Sequence, residues 1–269
     1  MTRVRYGILA DVHGNLHALR AVLSELERVG VDRILFAGDL VGYGPQPNEC
    51  VELVAGLDAV CVAGNHDLIV LGALSEERCI PLARDSLRWT RTVLAPAARE
   101  FLARLPLQAR ATGGVVVAHG SLDDPQEYTT RPQQADRQLA ALPAEARLLI
   151  VGHTHLPWAY GARSGSLSPR GVIPLGDDPA LLLNPGAVGQ SRELRSWARC
   201  AVLDLDRRTA RFLALPYEIG RCRADLRRAG LSPRGCHLRP SVLGTGRRAL
   251  RRLAERAQRR ASSRARSRG

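Results

Sequence analysis

Five short polar clusters punctuate this chain, and each follows an apolar run of strand length. They are Asp11-Val12-His13, Gly38-Asp39, Gly64-Asn65-His66-Asp67, His119-Gly120 and Gly152-His153-Thr154-His155. The runs before them, such as Arg3–Ala10, Arg33–Ala37 and the β-branched Val115–Ala118, read as strands. Chemistry in open α/β folds collects where parallel strands end and loops begin. The order of these clusters therefore constrains the fold and the function together.

The segments between the clusters set the architecture. Leu16–Val29 has helical apolar spacing, with Asn15 placed to cap its start and Gly30 to stop it. Pro47–Gly56 also reads as helix, and Ala59–Ala63 as the strand before Asn65. Helical patterns then cover Ser75–Ala83, Ser86–Leu94 and Ala97–Leu105. Leu148–Val151 and Leu181–Leu183 return to strand, and Ala201–Leu205 with Ala210–Leu215 form a hairpin. Alternation followed by short strands predicts two packed sheets with helices outside.

Residue types at the clusters point to metal. Asp11 and His13 are two apart, so on an extended segment both side chains share one side. Asp39 follows a glycine that permits a sharp turn, and its two oxygens could each take one ion. Asn65 offers a neutral amide oxygen. His119, His153 and His155 add imidazole nitrogens, the last two again at a spacing of two. The set is large enough for two divalent ions, the arrangement that clamps attacking and leaving oxygens in phosphoryl transfer. Nitrogen and oxygen donors without thiolate favour Mn, Fe, Zn, Co or Ni over Mg or Ca.

The five clusters, in this order, resemble the signature motifs of the calcineurin-like metallophosphoesterase superfamily. Further stretches are similar to its small bacterial and archaeal phosphodiesterase-like branch: Gly38-Asp39-Leu40-Val41-Gly42-Tyr43-Gly44-Pro45, Pro47-Asn48-Glu49-Cys50, and Asn184-Pro185-Gly186-Ala187-Val188-Gly189-Gln190. The likeness runs over roughly residues 3–240. It implies a four-layer α/β/β/α sandwich of two mixed sheets flanked by helices. It also implies Asp11, His13, Asp39 and His155 on one ion, and Asp39, Asn65, His119 and His153 on the other. His66 matches the family's catalytic histidine, which stabilises the transition state or protonates the leaving oxygen while a metal-bridging hydroxide attacks phosphorus in line. The implied enzyme is a Mn²⁺-dependent phosphodiesterase on a small or nucleotide-like substrate, able also to act on monoesters. Serine/threonine phosphatases of the superfamily carry Asp and Arg where this chain has Gly42 and Tyr43. That departure favours a diesterase and leaves open which group orients His66.

Other features are bounded more loosely. Six cysteines lack C-x-x-C spacing, which suits reduced, buried thiols. With no signal-peptide pattern at the start and no membrane-length apolar run, a cytoplasmic protein is expected. All 39 basic residues are Arg, and 16 of them follow position 220 against Asp225 and Glu255, a net of +14 beside −1 for the rest. Residues 1–240 read as the catalytic domain and 241–269 as an Arg-rich tail, disordered or a frayed helix. The tail is a solubilising extension or an arm for nucleic acid. It keeps two alternatives open: a nuclease, or a non-catalytic scaffold on the same fold. Tyr43 and Tyr128 are candidate pocket residues, Arg131 and Arg192 candidate phosphate contacts, and Asn184-Pro185-Gly186 a candidate closing loop.

Overall fold

The structure, a computed structural model, describes residues 4–240, and the tail assignments lie outside the described residues. The chain begins with β1 (Arg5–Leu9), α1 (Leu16–Val29), β2 (Arg33–Ala37), α2 (Pro47–Ala55) and β3 (Ala59–Val62). A helical stretch follows: α3 (Asn65–Leu71), α4 (Pro81–Val93) and α5 (Pro96–Ala103). Then come β4 (Gln108–Ala111), β5 (Val115–Ala118), α6 (Pro132–Ala140), β6 (Leu148–Ile150), β7 (Trp158–Gly161), β8 (Gly165–Leu167) and β9 (Gly171–Pro174). The last elements are β10 (Leu181–Asn184), β11 (Ala198–Asp204), β12 (Thr209–Leu215) and α7 (Ile219–Arg228).

Local chemistry explains the boundaries. The Asn15 side chain accepts from the Ala18 N–H at 3.1 Å and starts α1, and Gly30 ends it in the left-handed region at φ 74°. Proline opens α2, α4, α5 and α6, where its missing N–H is not needed. The same rule corrects one expectation. Ser75–Ala83 is not a helix, because Pro81 in its interior would break it. Ile80 before it is extended (ψ 154°), and α4 starts at Pro81 instead.

Two six-stranded mixed sheets stack face to face. Their orders are β3-β2-β1-β11-β12-β9 and β4-β5-β6-β10-β7-β8. In the first, β1, β2 and β3 run parallel; in the second, β5, β6 and β10 do. Side chains alternate between the two faces of each strand. Tyr6, Ile8, Leu35 and Ala37 point into the inter-sheet core with Val115, Val117, Leu148, Ile150, Leu181 and Leu183. Leu9, Ile34, Phe36 and Val202 point the other way, under α1 to α5. Against the outer face of the second sheet, α6 packs Ala135 and Leu139 on Val116, Leu149 and Leu182. The expected four layers are therefore present. The six parallel strands bring their carboxyl ends to one rim of the sandwich.

Candidate metal centre

Every sequence-predicted ligand lies on that rim. The loop after β1 supplies Asp11 and His13, the loop after β2 supplies Asp39, and the loop after β3 supplies Asn65 and His66 at the start of α3. The loop after β5 supplies His119, and that after β6 supplies His153 and His155. All eight are buried, none above 6 % exposure. The extended geometry expected for the pairs two apart does not occur. Asp11, His13, Asp39, His153 and His155 all lie in the left-handed region, with φ between 50° and 64°. Such strain in non-glycine residues costs roughly 1–3 kcal/mol each and persists where surrounding structure enforces it.

Two groups of donors form around separate centres, and a third set of close atoms, from His13, Asp39 and His66, overlaps both. In the first, His13 Nε2 and His155 Nε2 are 3.1 Å apart, and Asp11 Oδ1 lies 3.9 Å and 3.5 Å from them. In the second, His119 Nε2 is 3.0 Å from Asn65 Oδ1 and 3.2 Å from Asp39 Oδ2, with His153 alongside. Asp39 Oδ2 is also 3.6 Å from His13 Nε2, so this one atom lies between the groups. Sharing one Asp39 oxygen per ion, as expected above, is not the geometry found. Oδ1 accepts the His66 backbone N–H at 2.8 Å, and both groups converge on Oδ2.

The outer nitrogens fix the rings. His13 Nδ1 meets the Val41 carbonyl at 3.1 Å, His119 Nδ1 that of Ala37 at 2.7 Å, and His155 Nδ1 that of Gln190 at 2.7 Å. A carbonyl only accepts, so each of these rings carries a proton on Nδ1 and turns Nε2 inward. His153 is reversed: its Nε2 meets the Gln126 carbonyl at 3.2 Å, which leaves Nδ1 for the cluster. Asp11 Oδ2 and Asp39 Oδ2 are buried and accept no hydrogen bond. Buried carboxylate oxygens without partners are costly unless a cation meets them. The donor set thus fits divalent ions.

The sequence profile of the calcineurin-like phosphoesterase family matches residues 4–186. The chain belongs to that family. It is a metal-dependent phosphoester hydrolase. An uncharacterized protein of Methanocaldococcus jannaschii is 34 % identical over 209 residues, covering 76 % of this chain and 84 % of that one. The solved metallophosphoesterase from Sphaerobacter thermophilus is 36 % identical with a TM-score of 0.76, covering 86 % of this chain and 95 % of the other. A symmetrical bis(5'-nucleosyl)-tetraphosphatase of Nitrosococcus oceani is 31 % identical over 143 residues, half of this chain and 49 % of that enzyme.

Electrostatics divide the phosphoesterase's imidazoles. Burial holds His13, His153 and His155 well below the usual histidine range, so they are neutral, the form that donates to metal. Burial acts the same way on His119, but the Asp39 carboxylate outweighs it and lifts His119 to about 9. Burial would raise Asp39, yet His119 and His66 hold it well below the carboxylate range. Burial pushes Asp11 up to about 7.

His66 stands apart. Its Nδ1 is buried without a hydrogen bond. Its ring stacks 4.9 Å from Tyr43 at 33°, and the His13 ring meets it edge-on at 4.7 Å. Asp67 does not touch it. That buried carboxylate accepts instead from the backbone N–H groups of Asp39 (2.9 Å), Val41 (3.1 Å) and Gly64 (2.9 Å), and so pins the Asp39 loop to the start of α3. The position where protein phosphatases have Asp is closed to any side chain here. Gly42 has φ +88°, and a Cβ on it would collide with His66 Nδ1. The ring is held by packing against Tyr43 and His13, not by a carboxylate.

A cavity of about 230 Å³ opens over the centre, lined by Asp39, Asn65, His66, His153 and His155 with Tyr43, Arg78, Gln126, Tyr128 and Arg192. Tyr43 is buried in its wall and Tyr128 is exposed at 46 %. Arg131 is not among the lining residues; it is the exposed residue before α6. Asn184 does not close over the cavity. Its Nδ2 donates to the Gly152 carbonyl (2.6 Å) and Thr154 Oγ1 (3.1 Å), bracing the His153–His155 loop from below. Sequence reading missed Gln126, which lies in a loop with no periodicity or motif to mark it. All six cysteines are free, and no helix among the described residues is long and apolar enough to cross a membrane.

Proposed function

We propose that this phosphoesterase is a phosphodiesterase for small, nucleotide-like substrates, with phosphomonoesters as further substrates. The observation that carries the reading is the convergence of His13 and His119 Nε2 on the unpartnered Asp39 Oδ2, with His155 Nε2 beside Asp11 Oδ1, under an open cavity. Gly42 and Tyr43, in place of the phosphatase Asp and Arg, support a diesterase. The nucleotide character rests on the likeness to the Nitrosococcus tetraphosphatase.

In this reading Asp11, His13, Asp39 and His155 hold one divalent ion, and Asp39, Asn65, His119 and His153 hold the second. Mn²⁺ is the first choice and Fe, Zn, Co or Ni also suit the donors. Bound there, the ions supply charge neutralisation at phosphorus and a nucleophile at neutral pH. The protein does the rest. Four backbone carbonyls aim the ring nitrogens, and Asp67 fixes the loop that carries Asp39. The rim excludes water from the buried donors. His66, outside both ligand sets, gives the leaving oxygen its proton or stabilises its charge. Residues 1–240 are the catalytic unit in this reading, and residues 241–269 are an appendage. The six free thiols suit a reducing cytoplasm.

The test is hydrolysis of an aryl phosphodiester and an aryl monoester by Mn²⁺-reconstituted protein. Turnover of the diester, with His66→Ala binding metal normally but about 10²–10³-fold slower, is expected. Metal bound with neither ester hydrolysed would refute the proposal.

A further inference from the structure

Among the described residues, Arg192 has no carboxylate partner. It lines the cavity beside His66 and His155, and its charge is felt at Asp11, His13, His66, His153 and His155. The neighbouring carboxylate, Glu193, is taken by Arg199 through two hydrogen bonds of 2.6 Å and 2.8 Å. Among the described residues Arg192 has only neutral partners: Nε donates to Gln190 Oε1 and Nη1 to the Tyr128 hydroxyl, each at 3.2 Å. A guanidinium has five N–H donors in a planar fork matched to phosphate. Three of these, and the whole charge, are left for a ligand.

Tyr128 is fixed from two sides. Its hydroxyl accepts from Arg192, and its ring lies 4.1 Å from that of His153 at 38°. Nearly half of the residue remains exposed at the mouth of the cavity. A large aromatic held rigid yet exposed is a preformed stacking surface. Cavity size says what would use it. About 230 Å³ is below the roughly 300–1,000 Å³ of sites that enclose a whole small-molecule ligand. The cavity encloses a phosphoryl group and its immediate substituents, and any larger group must lie across the mouth.

We propose that Arg192 and Tyr128 form a nucleotide subsite, in which Arg192 grips a phosphoryl oxygen and Tyr128 stacks on the base of a free nucleotide. This rests on the hydrolase reading above and names its substrate class. An aliphatic phosphodiester would use Arg192 and leave Tyr128 bare. A longer nucleic acid offers the same base and phosphate, but among the described residues lining the cavity Tyr128 is the one exposed aromatic.

The test is calorimetric binding of adenosine 5′-phosphate, ribose 5-phosphate and inorganic phosphate to the Mn²⁺-loaded full chain. The first two differ only by the base. Wild type is expected to prefer the nucleotide about tenfold, the size that stacking on one aromatic gives. Tyr128→Leu should bring that ratio to about one, and Tyr128→Phe should keep it. Arg192→Gln should weaken all three ligands about tenfold, with thermal melting confirming the fold. A wild-type ratio near one, or a ratio that survives Tyr128→Leu, overturns the Tyr128 assignment. Unchanged phosphate binding in Arg192→Gln overturns that of Arg192. An end-blocked oligonucleotide that binds more tightly than the mononucleotide overturns the free-nucleotide class. Aryl diester turnover by the same preparation separates the two levels: turnover without base preference sinks only the subsite. Metal bound with no turnover sinks the reading beneath it.

Discussion

Gly42 approaches His66 so closely that a Cβ on residue 42 would overlap the ring nitrogen Nδ1. Two features of the chain meet here. Position 42 carries glycine at φ +88°, and the one motif histidine outside the proposed ligand sets has no hydrogen-bonded partner behind it. The loop approaches His66 with backbone where a protein phosphatase presents a side chain. Contact with Tyr43 and His13 then sets the ring plane.

Gly42→Ala should therefore act on His66 first. The methyl group displaces the ring, and the left-handed backbone adds roughly 1 kcal/mol of strain. Metal content, measured by elemental analysis, should stay at the wild-type level, while kcat for an aryl phosphodiester falls about 10²-fold. Loss of metal in step with activity would mean that residue 42 supports the ligand loops rather than His66.

Asp67 holds three backbone N–H groups with two oxygens, out of water. Asp67→Asn is nearly isosteric, but it turns an NH₂ donor toward backbone donors. A buried unsatisfied pair of this kind costs about 2–3 kcal/mol. Because the donors belong to the loops of Asp39 and Asn65, metal affinity should also drop about 10- to 100-fold, the usual effect of losing an outer support. Chemical denaturation and metal titration of the variant check both numbers.

The sandwich and the rim were legible in the sequence because apolar runs and polar clusters repeat in register with strand ends. Leu16–Val29 was readable to the residue, since Asn15 and Gly30 mark both ends chemically. The ligand conformation was not. Asp11, His13, Asp39, His153 and His155 have left-handed backbones with none of the glycines that announce one, because tertiary contacts impose them. For example, Asp11 Oδ1 accepts the His153 N–H at 3.1 Å across 142 residues. The elements missed, α3, β4, β7, β8, β9, α6 and α7, are mostly short pieces or polar helices whose pattern is weak. Arg192 was a candidate phosphate contact in the sequence on no better ground than Arg131. Its lack of a carboxylate partner among the described residues shows only in the structure, where Arg199 takes Glu193.

Ion binding should stabilise the fold measurably. Asp11 Oδ2 and Asp39 Oδ2 are buried acceptors with nothing to accept, so the folded state binds divalent cations that the unfolded chain does not. With Mn²⁺ at a hundred times its Kd, stability should rise by about 2.7 kcal/mol, seen as an increase in Tm that a chelator reverses. Asp39→Asn should erase most of that increase, since both donor groups meet at its Oδ2. A Tm indifferent to Mn²⁺ in the wild type would argue that the cluster does not hold ions.

Asp225 offers a test of stability away from the metal centre. On α7, its carboxylate accepts from His17 of α1 (2.7 Å) and from Gln46 just before α2 (2.5 Å), and it pairs with Arg228. The hydrogen bond from His17 leads in holding its pKa below the ordinary carboxylate value, although partial burial works against it. A depressed carboxylate stabilises the fold fully above the unfolded pKa of about 3.9, and the contribution disappears as pH falls through the folded value. Asp225→Asn should therefore lose about 1–2 kcal/mol at pH 7. The difference from wild type should shrink below pH 4 as the native carboxyl protonates. Urea unfolding of both proteins from pH 7 to pH 3 gives the comparison, and a gap that stays constant across that range would show that the charge of Asp225 contributes nothing.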